Sequence, residues 1–121
     1  MALVCLATGA TVVRLAAAIT LAWTHSVQKS AWQEDWHATS DGLVLAEVRI
    51  QGSGAGMEPP EGAVLKGGFY VAHPTLAPQR EVILRRSGAT ADWQVCIAGA
   101  CHSMAELVPP DADPVTLTTC E

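Results

Sequence analysis

Short runs in which hydrophobic and polar residues alternate dominate the chain and predict β-strands. Between Leu43 and Ile50 every even-numbered residue is apolar, whereas the odd-numbered ones include Glu47 and Arg49, so Val44, Ala46, Val48 and Ile50 are expected to share one face. Similar runs, separated by glycine, proline, aspartate or serine, occupy residues 3–6, 11–15, 19–24, 31–38, 69–72, 81–85, 93–97 and 115–119. Regular short strands with turn residues between them predict an all-β fold, either an antiparallel β-sandwich or a partly open barrel.

One hairpin turn and one short helix are predicted between these runs. Ser40-Asp41-Gly42 is typical of the turn that joins two antiparallel strands, here residues 32–39 and 43–50. Ser103 can cap a single helical turn over residues 103–107, because Glu106 would occupy its third position. The two prolines that follow would end this turn.

The apolar N-terminus allows two interpretations. Residues 2–13 resemble the core of an export signal, and the alanines at 16–18 suit a signal peptidase. However, no basic residue precedes the apolar run, and Arg14 would lie inside the inserted part, which also disfavours a transmembrane span. Two strands that turn at Thr8-Gly9-Ala10 leave Arg14 facing solvent, and we favour this interpretation. We expect one β domain over residues 1–121, with a degenerate export signal at 1–18 as the alternative.

Length and charge exclude several classes of protein. A chain of 121 residues can bury one core, and 50% apolar against 16% charged residues is too hydrophobic for a disordered protein. The net charge is -5, and the seven basic residues are scattered, so nucleic acid is not an expected partner.

Four cysteines predict two disulfides. Cys96 and Cys101 flank a four-residue segment rich in small residues, which could be the tip of a disulfide-closed hairpin. Cys5 and Cys120 remain near the two termini, which often lie close together, and such a pair suits an oxidising compartment. A zinc site is the alternative. We expect neither a metal nor a cofactor, since no second close Cys/His pair completes a tetrahedral set.

Glu34 is the residue with the most suggestive surroundings for chemistry. Trp32, Glu34 and Trp36 lie on one face of their strand, so the carboxyl group sits between two indoles. Burial there would raise its pKa, as in a general acid; the alternative is a solvent-facing or hydrogen-bonded glutamate beside two core tryptophans. His25 and Ser26 cannot form a catalytic dyad, because neighbours in a strand point to opposite faces. We therefore recognise no catalytic constellation.

His25 and a glycine-rich segment complete the candidate site. His25 is interpreted as a structural hydrogen-bonding group or as one wall of a ligand pocket with Glu34 or Glu47. The segment 52–57 lacks the lysine of a phosphate loop, so it is a tight turn or a nest of amides that binds an anion. We expect His25, Glu34 and this turn to meet at one end of the fold. The full candidate interaction or ligand site is His25, Ser26, Glu34, Glu47, Gly54, Ala55, Gly56 and Met57.

The same residues resemble a known bacterial family. Thr24-His25-Ser26-Val27, Glu34 and Gly54-Ala55-Gly56-Met57 are similar to the family called domain of unknown function 1850, and the resemblance extends from about residue 3 through Cys101. Members are commonly encoded beside tripartite ATP-independent periplasmic (TRAP) transporters, particularly those with a TAXI-type solute-binding protein. The resemblance implies a periplasmic or otherwise extracytoplasmic accessory role, with the permease or its binding protein as partner. It implies no particular activity.

Overall fold

Two antiparallel sheets face each other in the computed structural model, which describes residues 2–24, 30–51, 62–86 and 91–121. The strands, in chain order, are β1 (Leu3–Thr8), β2 (Thr11–Ala16), β3 (Ala18–Thr24), β4 (Ala31–Thr39), β5 (Gly42–Gln51), β6 (Val64–Lys66), β7 (Phe69–Ala72), β8 (Glu81–Leu84), β9 (Gln94–Ile97), β10 (Ala100–Ser103) and β11 (Val115–Cys120). One helical turn, α1 (Met104–Leu107), follows β10.

The order of the strands confirms the all-β prediction and selects the sandwich. The smaller sheet runs β2-β1-β11-β8 and the larger one runs β10-β9-β3-β4-β5-β7-β6, and the described strands do not close into a barrel. Hairpins join β1 to β2, β3 to β4, β4 to β5 and β9 to β10. The helix is too short to cross a membrane, and among the described residues no other helix could do so.

Residues 3–16 form strands, as we favoured from the sequence. The turn between β1 and β2 lies at Gly9 and Ala10, where Gly9 has a φ of 57° that suits glycine. β1 lies between β2 and β11, and Val4, Cys5 and Leu6 are fully buried. The apolar run at the N-terminus therefore supplies part of the core.

A β-bulge in β5 makes the predicted strict alternation of residues 43–50 wrong. Trp36 pairs with Leu45, whereas the preceding residue Asp35 pairs with Glu47, so Ala46 has no partner of its own on β4. One extra residue in a strand moves the side chains beyond it to the opposite face. Ala46 is consequently exposed.

The bulge lets both halves of β5 bury side chains on the inner face. Leu43 before the bulge is fully buried, and Val48 and Ile50 after it are buried as well. Val44, which we grouped with Val48 and Ile50, is only partly buried. The alternation of apolar and polar residues in the sequence does not reveal the bulge, because the extra residue, Ala46, is itself apolar and fits the alternation.

The core lies between the sheets and is closed at one side by α1. Ser103 N–H donates to Glu106 Oε2 at 2.8 Å, which fixes the start of the predicted helical turn and directs Met104 inwards. The buried cluster comprises Val4, Leu6, Ile19, Leu21, Trp36, Leu43, Leu84, Val95, Met104, Val108, Val115 and Leu117. Strand β6 was not predicted from the sequence. Its three residues are all exposed, and apolar and polar residues do not alternate in Val64-Leu65-Lys66.

Both cysteine pairs expected from the sequence are joined. Cys96 and Cys101 are direct cross-strand partners in the β9–β10 hairpin, with Cα atoms 3.9 Å apart. Cys5 on β1 and Cys120 on the adjacent β11 have Cα atoms 6.0 Å apart. The second disulfide links the two ends of the chain through 115 residues, whereas the first spans five.

Replacing each cysteine pair by serine should reveal unequal contributions to stability. A disulfide stabilises mainly by restricting the unfolded chain, so the loss should be about 4–5 kcal/mol for Cys5–Cys120 and about 2 kcal/mol for Cys96–Cys101. Urea unfolding of the two double variants measures both values. Equal losses would contradict this explanation, and four free thiols in non-reduced protein from an oxidising compartment would contradict the pairing itself.

Among the glycines that the structure describes, Gly42 is the one whose replacement should be most harmful. Leu43 N–H donates to Gln79 O at 2.7 Å, which holds the Gln79 backbone against the start of β5. Gly42 has a φ of +129°, and a Cβ there would lie 2.6 Å from Gln79 O.

Gly42→Ala should therefore destabilise the protein by more than the roughly 1 kcal/mol expected of an unfavourable φ alone. Gly68→Ala is the matched control, since Gly68 also has a positive φ, +86°, but nothing lies within 4 Å of the position that its new methyl group would take. The melting temperatures of the two variants give the comparison. A loss as large in Gly68→Ala would rule out the contact with Gln79 as the cause.

Candidate functional site

The structure describes two of the predicted site residues, Glu34 and Glu47. His25, Ser26 and the residues Gly54 to Met57 lie outside the described residues. The expected meeting of His25, Glu34 and the glycine-rich turn therefore stays a prediction.

Glu34 occupies the inner face of β4, between Trp32 and Trp36. Its cross-strand partners are Leu21 on β3 and Val48 on β5, both of which are buried. Burial of the carboxyl group raises the pKa of Glu34, while a hydrogen bond donated by Trp36 Nε1 to Glu34 Oε1 at 3.1 Å acts in the opposite direction. The glutamate is therefore both partly desolvated and hydrogen bonded, and a role as a general acid stays a prediction.

The neighbouring indole carries an unpaired donor. Trp32 Nε1 is buried and has no hydrogen-bond partner among the described residues. Such a group is costly, because it has lost its water without gaining a protein acceptor. Trp32 and Glu34 thus place a free N–H and a readily protonated carboxyl on the same face of β4.

Glu47 belongs to a different group of residues, on the outer face of the larger sheet. We call this group the Arg49 network; it consists of Thr20, Gln33, Asp35, Glu47, Arg49 and His73. Arg49 donates to both carboxylate oxygens of Asp35 at 2.7 and 2.8 Å, to Gln33 Oε1 at 2.9 Å, and to Glu47. Thr20 Oγ1 donates to Asp35 at 2.7 Å, and His73 Nε2 lies 3.1 Å from Glu47 Oε1.

The Arg49 network stabilises charged side chains. Hydrogen bonds from Arg49 are the largest influence on Asp35 and hold the pKa of this carboxyl below its usual range, although its partial burial acts the other way. The pKa of Arg49 is raised, chiefly by the same hydrogen bonds. Glu34 and Glu47 lie on opposite faces of one sheet, so the structure does not bring these two carboxyl groups into one site.

A cleft of about 640 Å³ at the end of β3 was not anticipated from the sequence. Its lining combines tryptophan, arginine and aspartate side chains with small residues: Trp23, Thr24, Arg85, Arg86, Ala91, Asp92, Trp93, Ala105, Pro110, Asp111, Ala112 and Asp113. A shallower groove of about 410 Å³ runs along the outer face beside Asp35 and Arg49.

Two tryptophans form the aromatic part of the cleft. Trp93 meets Trp23 edge to face, with ring centroids 4.7 Å apart and planes inclined by 62°. Trp23 in turn stacks on Trp32, with centroids 5.5 Å apart and planes inclined by 22°. Trp93 Nε1 donates to Arg85 O at 2.9 Å, which fixes the orientation of this indole. The aromatic wall is therefore held by packing and by one hydrogen bond.

Arg86 organises the charged part of the cleft. Its side chain is only 8% exposed and donates to both carboxylate oxygens of Asp92, at 3.1 and 2.8 Å. It also donates to Pro109 O at 3.0 Å and Ala112 O at 2.8 Å. The hydrogen bonds to Asp92 lower the pKa of its carboxyl group. The hydrogen bonds to Pro109 and Ala112 hold residues 109–112 next to Arg86.

The sequence holds no local signal for this cleft. Its aromatic residues are Trp23 near the end of β3 and Trp93 just before β9. Asp92 also precedes β9, whereas Asp111 and Asp113 lie between α1 and β11. No motif of fixed spacing connects positions so far apart in the chain. Among the described residues, no group of three or more His, Cys, Asp or Glu side chains is placed to hold a metal ion.

Glu34→Gln should change how stability depends on pH. The raised pKa means that the folded protein holds this proton more tightly than the unfolded chain, whose usual value is 4.5. The stabilisation is complete below pH 4.5 and is lost as the pH rises through the folded pKa. The variant cannot titrate and retains an oxygen acceptor for Trp36, so it should become more stable relative to the original protein as the pH rises. Urea unfolding across this range measures the difference.

Asp35→Asn provides a control of opposite sign on the other face of β4. Its lowered pKa contributes stability that is present above the usual value of 3.8 and is lost as the pH falls through the folded pKa. Asp35→Asn should therefore be less stable than the original protein at neutral pH, by a difference that shrinks in acid. If the stability of both variants relative to the original protein changed with pH in the same direction, the faces of the sheet would not explain the two pKa shifts.

Comparison with known proteins identifies a family but no activity. The sequence model of a domain of unknown function, DUF1850, matches residues 19–104. No curated protein and no solved structure matches the chain. The matched region runs from β3 to the first residue of α1 and includes both Glu34 and the Arg49 network, whereas β1, β2 and β11 lie outside it. Because the match covers more than half of its residues, the chain belongs to the DUF1850 family.

Proposed function

We propose that this protein is an extracytoplasmic accessory component of a TAXI-type TRAP solute transport system. Membership of the DUF1850 family is the observation that carries the proposal, since the sequence resemblance to that family implies genes that neighbour such transporters. The two disulfides support an oxidising compartment, because thiols in the cytosol are kept reduced. The partner in this proposal is the permease or its solute-binding protein.

The electrostatics of the described residues favour binding over catalysis. Catalytic acids and bases need pKa values near the working pH. Here the pKa values of Asp35, Asp92 and Asp113 are lowered by arginine partners, which is the behaviour of structural ion pairs. The pKa of Glu34 is raised by burial, but one such carboxyl does not define a reaction. We therefore propose a protein without enzymatic activity of its own.

A small-ligand-binding module is the second candidate function. The cleft between Trp93 and Asp111 favours it, because small-molecule sites combine aromatic surface with a few fixed polar groups. A thermal-shift screen of organic ions, phosphate and divalent metals tests this candidate without any transporter. A ligand supplied at a hundred times its dissociation constant should add about 2.7 kcal/mol to the free energy of unfolding.

Removal of the gene should reduce uptake of the transporter's solute while the abundance of the permease stays constant. Cross-linking in intact cells with an affinity-tagged copy should recover the permease or the solute-binding protein. An exported, disulfide-bonded β domain of similar size and charge, tagged in the same way, is the control for chance capture. Unchanged uptake together with no recovery of either partner would overturn the proposal.

The same uptake measurement can be made on a variant of His25, which belongs to the family motif Thr24-His25-Ser26-Val27. His25→Ala should reduce solute uptake at unchanged protein abundance if the motif carries the interaction. Asp41→Asn is the control, since Asp41 is exposed in the β4–β5 turn and lies outside the motif. Equal uptake by the two variants would place the interaction elsewhere on the protein.

A further inference from the structure

We propose that the cleft beside Trp23 and Trp93 binds a small organic cation, one with an ammonium or quaternary ammonium group. This inference rests on the small-ligand candidate and does not depend on an association with a transporter. Three features carry it: the aromatic wall, the balance of charge and the rigid frame of the cleft.

The aromatic wall suits a cation. Trp23 and Trp93 both line the cleft and are partly exposed. The face of an indole carries negative charge density and attracts ammonium groups, and tryptophan does so more strongly than the other aromatic side chains. Quaternary ammonium ions, which bind water weakly, are the ligands that such surfaces recognise best.

The two ion pairs of the cleft leave one carboxylate, Asp111, without an ion-pair partner among the described residues. Two arginines and three aspartates line it. Arg86 is paired with Asp92, and Arg85 is paired with Asp113 at 3.0 Å. Asp111 is exposed and attracts Arg86 electrostatically, but it has no hydrogen bond or ion pair of its own among the described residues. Because Arg86 is already paired with Asp92, the lining keeps a formal charge of -1. A bound cation would neutralise this excess.

An anionic ligand fits the same surroundings poorly. Arg85 is the more accessible of the two arginines, with a side chain 74% exposed, but both Nε and Nη2 already donate to Asp113. An anion would have to share the Arg85 guanidinium with Asp113 and would also approach the carboxylate of Asp111. The net charge of -5 on the whole chain disfavours an anion further.

The residues that line the cleft are held in place by hydrogen bonds within the protein. Arg86 donates to the carbonyl oxygens of Pro109 and Ala112, which flank Asp111 on either side. Trp93 is held by its hydrogen bond to Arg85 O. A site whose walls are already ordered loses less entropy on binding, which favours affinity for a ligand with few atoms.

Isothermal titration calorimetry with choline tests the proposal on the whole, oxidised protein. The neutral carbon isostere of choline, dimethylbutanol, has the same shape without the charge. We expect choline to bind about tenfold more tightly than this isostere, because only choline gains both the cation–π and the carboxylate attraction. Equal affinities, no heat of binding from choline, or tighter binding of acetate than of choline would each overturn the proposal.

Two variants locate the site. Asp111→Asn should weaken choline binding about three- to fivefold, the range of an exposed ion pair, and should leave binding of the isostere unchanged. Asp41→Asn is the matched control, an exposed aspartate in the β4–β5 turn outside the cleft lining, and should bind choline like the original protein. Unaltered choline binding by Asp111→Asn, or equal weakening in both variants, would contradict the assignment. Melting temperatures verify that both variants are folded.

Discussion

The fold depends on burying the inner face of the β3–β4–β5 hairpins beneath two strands from opposite ends of the chain. β1 packs on β3 and β4, and β11 packs on β5. Leu6 and Leu117 are fully buried in the resulting core together with Leu21. Strands β1 and β11 pair with each other, so neither chain end can bury its apolar side chains alone. The Cys5–Cys120 bond reinforces the same contact.

The two faces of the larger sheet give neighbouring carboxyl groups opposite properties. Glu34 points into the sandwich, where loss of water raises its pKa. Asp35, the next residue, lies on the outer face, where hydrogen bonds from Arg49 lower its pKa. The bulge at Ala46 maintains this division, because it keeps Glu47 and Arg49 outside while Leu43 and Val48 remain inside.

The cleft lies among the end of β3, the residues that follow β8, the residues before β9 and the segment before β11. Arg86 joins the segments around the cleft through hydrogen bonds to Asp92 and to two backbone carbonyl oxygens. A nearly buried guanidinium requires this complete set of acceptors, because its desolvation is otherwise unfavourable. Arg86 pairs with Asp92 and Arg85 pairs with Asp113, so Asp111 is the one carboxylate among the cleft's described residues without an ion-pair partner.

Local properties of the sequence determined the strands other than β6, the turn at Gly42, the helical turn capped by Ser103 and the spacing that pairs Cys96 with Cys101. Each of these features depends on residues within a few positions of one another. Tertiary structure decided the bulge at Ala46, the assignment of strands to two sheets and the whole cleft. A single inserted alanine leaves no trace in the period of a strand. The cleft unites Trp23, Trp93 and Asp111, whose proximity follows only from how β3, β9 and the segment before β11 pack.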